Sequence, residues 1–343
     1  LSWGSELNLI DHVLHERYQE FGLDRHGIGR DWTSVLLTPQ FVTSRHVVAL
    51  IYPAGELRAR LVVKVPRQPG DNKGVQREAD MLRTLQSLHS GNVAGIPEVV
   101  AAVDVGDHTV LVETAVHGLQ LDPDRVATDV ADAQRAGNEF VALLPTTRPA
   151  SANTDWYGRT VAQPLQALAN LVPSEPEVAS LVERTHQLLS PLRSVQLPAV
   201  FEHADLSHPN IFIQSDGSLQ VVDWERSSID GLPGHDLVFY LQYVGESAVK
   251  AFAREQQVEA FDAAFGPSGW ALAPVRNELR RREVDPDLLP ALVIATWARS
   301  AATLAYRLDG PQSRGQSEAQ VRDAVVNDRD YWLWRHAVER GLP

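Results

Sequence analysis

FEHADLSHPNIFIQSDGSLQVVDWE, residues 201–225, decides how the rest of the chain is read. It places His203, Asp205, His208 and Asn210 in one short loop. Two apolar runs follow, Ile211 to Gln214 and Leu219 to Val222, joined by the turn residues Ser215, Asp216, Gly217 and Ser218. This pattern predicts a hairpin. A turn centred between Asp216 and Gly217 sets Asn210 opposite Asp223 at the open end of the ladder. An amide oxygen beside a carboxylate is a hard-oxygen pair suited to Mg²⁺ and its waters. Asp205 lies just upstream, where a carboxylate can accept a proton from an incoming nucleophile.

The whole chain bounds the answer. Its 343 residues suffice for two lobes. With 44% hydrophobic and 22% charged residues it is globular rather than disordered. It has no cysteine, which excludes disulfides, thiolate nucleophiles and cysteine-based zinc sites, and fits a reducing compartment. No apolar run approaches the ~18 residues of a membrane span, and no secretory pattern opens the sequence. A cytoplasmic chain without a membrane partner is therefore expected. The formal charge of −13 disfavours nucleic-acid binding, which needs a basic face. It suits a cationic small molecule, although solubility alone is the simpler account of it.

Upstream of the loop, LNLIDHVLHERYQEFGL spaces Leu7, Ile10, Val13, Leu14, Tyr18 and Phe21 as a helix does. Strand-like runs occupy 34–37, 46–52 and 61–65, then 99–103 and 109–113 after a helix over 73–88. Beyond His117-Gly118 the character changes. Helical patterns dominate at 124–144, 160–171, 176–193, 236–265 and 287–308, with the hairpin as the exception. Within Leu61-Val62-Val63-Lys64-Val65 a lysine stands among apolar residues, so it needs a partner or an edge. Glu78 shares a helical stripe with Val75, Met81, Leu82, Leu85 and Leu88. A carboxylate on a buried stripe is costly unless paired, and Lys64 is its natural partner.

These residues resemble those of aminoglycoside phosphotransferase and choline-kinase-like enzymes. HADLSHPN (203–210) resembles their catalytic loop, often H-G-D-x-x-x-x-N, and VVDWE (221–225) resembles their metal-binding segment. The resemblance implies a two-lobed, protein-kinase-like α+β fold. Its small antiparallel N-terminal lobe (1–115, with a leading helix within 1–30) carries one main helix, and a larger, mostly helical lobe (116–343) carries the catalytic loop and the acceptor site. It implies ATP (GTP possible) and Mg²⁺ as cofactors, Asp205 as catalytic base, and Asn210 and Asp223 as metal ligands. Lys64 and Glu78 become the nucleotide-site ion pair. LVETAVHG (111–118) becomes the connector whose backbone at Glu113 to Ala115 reads the adenine edge. Gly234-His235-Asp236-Leu237 resembles a later segment whose aspartate braces the loop, and His203 reads as a brace too. The turn at 38–46, TPQFVTSRH, departs from the protein-kinase pattern by lacking glycine, which leaves Ser44, Thr43 or backbone N–H groups to bind phosphate.

The expected partners are a nucleotide and a hydroxyl-bearing small molecule, such as an aminoglycoside, sugar or amino alcohol. Two other readings compete. One is a non-catalytic nucleotide-binding module on the same scaffold. The other is a non-haem iron oxygenase using His203 and Asp205. The sequence carries no signal for oligomeric state or for the identity of the acceptor. The roles of His208 and Glu225 stay open.

Overall fold

In the computed structural model the described residues are 9–37, 45–89, 93–308 and 316–341. The chain is α+β and divides into two compact units. The first is Leu1–Gly118 with Gln220–Arg226, and the second is Leu119–Leu219 with Ser227–Pro343.

The first unit runs α1 (Leu9–Glu16), β1 (Trp32–Leu37), β2 (His46–Pro53), β3 (Leu61–Pro66), α2 (Lys73–Leu88), β4 (Val99–Val105) and β5 (His108–Thr114). The strands form an antiparallel sheet in the order β1-β2-β3-β5-β4. Side chains alternate across it. Leu61, Val63, Val65, Val110 and Val112 bury one face against Ile10, Val13, Leu14, Tyr18 and Phe21. Leu111 on the other face packs on Val75 and Ala79 of α2. The same alternation carries Lys64 and Glu113 to the α2 face. Helix α1 stops at Glu16, short of the spacing read through Phe21. Gly22 at φ 59° and a single turn over Leu23–His26 then fold Leu23 and Ile28 back into that core. Leu88, expected on the buried stripe of α2, is exposed in its last turn.

The second unit contains β6 (Leu119–Gln120), α3 (Pro123–Thr128), α4 (Val130–Leu143), β7 (Thr146–Arg148), α5 (Gln163–Leu171), α6 (Pro176–Leu188), β8 (Ala199–Glu202) and β9 (Ile211–Ile213). Strand β10 (Leu219–Val221) runs from Leu219, the last residue of this stretch, into the Gln220–Arg226 segment of the first unit. The second unit resumes with β11 (Ser228–Gly231), α7 (His235–Ala248), α8 (Arg254–Phe265), α9 (Leu272–Arg281), α10 (Leu289–Leu308), α11 (Glu318–Val326) and α12 (Arg329–Arg340). The helical stretch read as 124–144 is two helices. They are divided at Asp129, whose carboxylate accepts the Asp132 N–H at 2.9 Å and caps α4. The stretch 236–265 divides as well, around Lys250 at φ 52°. Strands β11, β8 and β7 form a sheet in that order, and β8 delivers the chain to His203. Helix α7 is buried from His235 to Ser247, as a helix at the centre of a core must be. Contrary to the sequence expectation, α10 is long and apolar enough by length and composition to cross a membrane. It is a core helix with most of that stretch buried.

The turn differs from the expected register by one residue. Gln214 N donates to Ser218 O at 2.9 Å and Gly217 N to Gln214 O at 3.0 Å, so the loop centres on Asp216. Gly217, at φ 81°, supplies the left-handed residue that ends such a loop. Strand register alone therefore does not set Asn210 against Asp223.

Candidate active site

In the first unit Lys64 is the hub. Its ammonium donates to Glu78 Oε1 at 2.6 Å and lies 3.1 Å from Glu113 Oε1. All three side chains are buried. Burial works against the Lys64 charge, but Glu113, Glu78 and Asp223 outweigh it and hold the ammonium above its ordinary pKa. Burial also pushes Glu78 up, but the charge and hydrogen bond of Lys64 hold it below the usual carboxylate range. Glu113 has less support. Burial raises it to about 7 against the pull of Lys64.

Glu78 Oε1 also accepts the Trp224 N–H at 2.9 Å. One carboxylate thus ties β3, α2 and the segment after β10 together. That segment carries Asp223, in a left-handed conformation at φ 68° that aspartate tolerates better than most residues. Glu225 lies beyond it. Its Oε2 is 3.7 Å from His46 Nε2 and buried without a hydrogen-bond partner. Burial, then Asp223 and Glu78, push Glu225 up to about 8. A β-carbon on Gly74 would lie 2.7 Å from that oxygen, so glycine at the start of α2 is what gives the carboxyl its space.

In the connector, the Ala115 N–H is taken by Arg60 O at 2.9 Å. The ladder alternates, so Thr114 turns to the opposite edge, where its N–H donates to Glu98 O at 2.9 Å. Glu98 N–H goes to Thr114 Oγ1 at 2.8 Å, which spares the Thr114 carbonyl that donor. Glu113, expected to contribute backbone only, contributes its side chain to Lys64. The signal for this was the alternation of Thr109, Leu111 and Glu113. Ser44, together with Thr43, lies outside the described residues.

In the second unit the loop after β8 is braced from behind. Asp236, in the first turn of α7, accepts the His203 N–H at 2.7 Å and the Ala204 N–H at 2.8 Å, one on each oxygen. His203 is fully buried, and its Nδ1 accepts the Asp205 N–H at 3.2 Å. Asn210 Nδ2 donates to the Asp205 carbonyl at 3.1 Å and to its Oδ2 at 3.2 Å. With its nitrogen so engaged, the Asn210 amide presents its oxygen elsewhere. Burial lowers the His208 pKa against the nearby charge of Asp122. Among the described residues no three His, Asp or Glu side chains form a metal cage. A buried His203 turned to its own backbone does not fit the iron-oxygenase reading.

Ala204 stands at φ 65°, where an L-residue carries about 1–2 kcal/mol of strain. Ala204→Gly is expected to relieve that strain and give back roughly 0.4–1 kcal/mol through the greater freedom of its unfolded chain. The expected result is a net gain of about 0.5–1 kcal/mol in a denaturant melt. A loss of stability would contradict it.

The family model described as "Phosphotransferase enzyme family" matches residues 43–273. Among solved structures, wild-type aminoglycoside 2'-phosphotransferase-IIIa in its GDP complex is similar at TM-score 0.57 and 16% identity, covering 97% of this chain and 99% of that one. Apo macrolide 2'-phosphotransferase from Brachybacterium faecium is similar at TM-score 0.51 and 15% identity, covering 92% and 98%. Choline kinase from Streptococcus pneumoniae is similar at TM-score 0.51 and 13% identity, covering 96% and 99%. At these identities the likeness is one of fold. No curated protein matches the sequence.

Proposed function

Since the chain belongs to the phosphotransferase enzyme family, we propose that it transfers the γ-phosphoryl group of ATP or GTP to a hydroxyl of a small molecule, with Asp205 as the base. The observation that carries this reading is the loop itself. Asp236 fixes its backbone, and Asn210 fixes the Asp205 carboxylate. In that role Asp205 accepts the acceptor's hydroxyl proton as the acceptor oxygen bonds to the γ-phosphorus. The bond from phosphorus to the β-bridging oxygen breaks in line with it.

Lys64 is the proposed phosphate ligand, held in place by two carboxylates. The Thr114 carbonyl and the Val116 N–H are the backbone groups we assign to the adenine edge, in place of those of Glu113 and Ala115. Ser44 keeps its assignment to phosphate as a proposal. Mg²⁺ would neutralise phosphate charge. The donors fit it: the amide oxygen of Asn210, the carboxylate of Asp223 and the orphaned oxygen of Glu225 are hard ligands. Without a ready-made cage, such an ion would be shared with the phosphates and keep several waters.

The acceptor class follows from two things together. The similar structures are named for aminoglycosides, a macrolide and choline. A net charge of −13 favours a cationic partner. An alcohol that also carries an amine meets both conditions. The test is a panel of amino alcohols, aminoglycosides, macrolides and neutral sugars, assayed by nucleoside diphosphate release with ATP and with GTP. Turnover above the acceptor-free rate with an amine-bearing alcohol is expected. Equal turnover with neutral sugars would overturn the acceptor class.

A further inference from the structure

Behind the catalytic loop lies a buried charge network outside the motifs that pointed to the function. Glu202 is the last residue of β8 and immediately precedes His203. It is 1% exposed, although it carries a charge. Arg299 of the apolar helix α10 grips both of its oxygens, with Nη1 at 2.7 Å from Oε2 and Nη2 on Oε1. Oε2 also accepts the Leu232 N–H at 3.0 Å. A β-carbon on Gly231 would lie 2.5 Å from Val200 O and 2.8 Å from Glu202 Cβ, so β11 can close on Glu202 only with glycine there.

We propose that Arg299 is a positioning residue for Asp205: by neutralising Glu202 at the entry to the loop, it lets the neighbouring Asp236 keep the negative charge that clamps the His203 and Ala204 N–H groups. The proposal rests on the reading of Asp205 as the base. Glu202 and Asp236 share this buried space with the Arg299 guanidinium, and an unpaired second carboxylate there is costly.

The titration of Asp236 supports the geometry. Burial, then Glu202, raise it to about 7, while the two loop N–H groups and Arg299 pull it down. Glu202 itself stays below the usual carboxylate range, because Arg299 outweighs its burial. The other groups facing the clamp are accounted for. Burial holds His235, beside Asp236 on α7, at about 4, so it is neutral near pH 7. Arg282, just past α9, adds positive charge near Asp236, while its hydrogen bonds go to Glu278 and to the carbonyls of Val141 and Leu144. His203 is turned to the Asp205 N–H. When Asp236 takes a proton it can no longer accept equally on both oxygens, and the loop loosens as pH falls through its pKa.

Three variants test this by kcat against pH, together with amide hydrogen exchange of peptides spanning 199–210. Arg299→Met should lower kcat by about tenfold to a hundredfold with little change in KM, and speed exchange in the loop. Glu202→Gln should move the acid limb of kcat down by about one pH unit, a tenfold gain on that limb. The double variant, which leaves no unpaired Glu202 charge, should return kcat to within about threefold of wild type, and it serves if Arg299→Met alone does not fold. An Arg299→Met protein with wild-type kcat and loop exchange, or a Glu202→Gln acid limb that does not move, would overturn the proposal. Loop exchange is read without turnover. If it responds as expected while Asp205→Asn leaves turnover intact, the base assignment fails and the clamp stands. If Asp205→Asn abolishes turnover and exchange is unmoved, the clamp alone falls.

Discussion

Lys64→Met should destabilise the protein by about 3–5 kcal/mol. The reason is the company Lys64 keeps. One ammonium neutralises Glu78 at 2.6 Å and Glu113 at 3.1 Å, and all three are buried. Methionine fills the space but leaves two carboxylates with no cation, and the protein must protonate them or hydrate them. Without the ammonium both folded-state pKa values rise, Glu78 from below the unfolded value and Glu113 from about 7. The folded state binds the extra protons, so stability falls as pH rises from the unfolded carboxylate range towards the raised values. The loss should therefore be larger at pH 8 than at pH 6, as read by urea or thermal melts. Glu78→Gln should cost less, because Glu113 still balances Lys64. A Lys64→Met protein as stable as wild type at pH 8 would contradict the shared-cation account.

Asp205→Asn should lower kcat by about 10²–10⁴. Asparagine preserves the shape of the side chain but cannot take the hydroxyl proton. The loop is held by groups outside Asp205: Asp236 on the His203 and Ala204 N–H groups, and Asn210 on the Asp205 carbonyl. The effect should thus fall on turnover and leave nucleotide affinity within about threefold, since the lost group acts on the reacting hydroxyl. A parallel loss of nucleotide affinity, measured by calorimetry, would instead mark Asp205 as a binding or folding residue.

The parts of this molecule that were legible in sequence are those where a physical rule and a chemical group disagreed. Glu78 stood out because a carboxylate on a buried stripe of α2 violates amphipathic patterning, and Lys64 because a cation interrupts an apolar strand. Both exceptions proved to be each other's partner. Glu113 breaks no rule of β5, and the resemblance of LVETAVHG to a connector points to its backbone, although its parity with Leu111 places it on the face that holds Lys64. The hairpin was visible, but its register slipped by one residue because Gly217 closes a loop centred on Asp216. Strands β7, β8 and β11 are too short for a period of two to show. Arg299 was hidden by the apolar helix around it, yet a guanidinium inside such a helix is the same kind of exception as Lys64. The acceptor end of the chemistry has no comparable signature, because specificity needs shape more than a fixed residue type.

The most direct measurement is transfer of label from γ-phosphoryl-labelled ATP or GTP, with Mg²⁺, to an amine-bearing alcohol, comparing wild type with Asp205→Asn at matched nucleotide occupancy. Wild type should yield an acceptor carrying one added phosphoryl group, and Asp205→Asn should yield it about 10²–10⁴ times more slowly. Nucleotide binding by both proteins, with no labelled acceptor from either, would show instead a module that holds a nucleotide and does not transfer its phosphate.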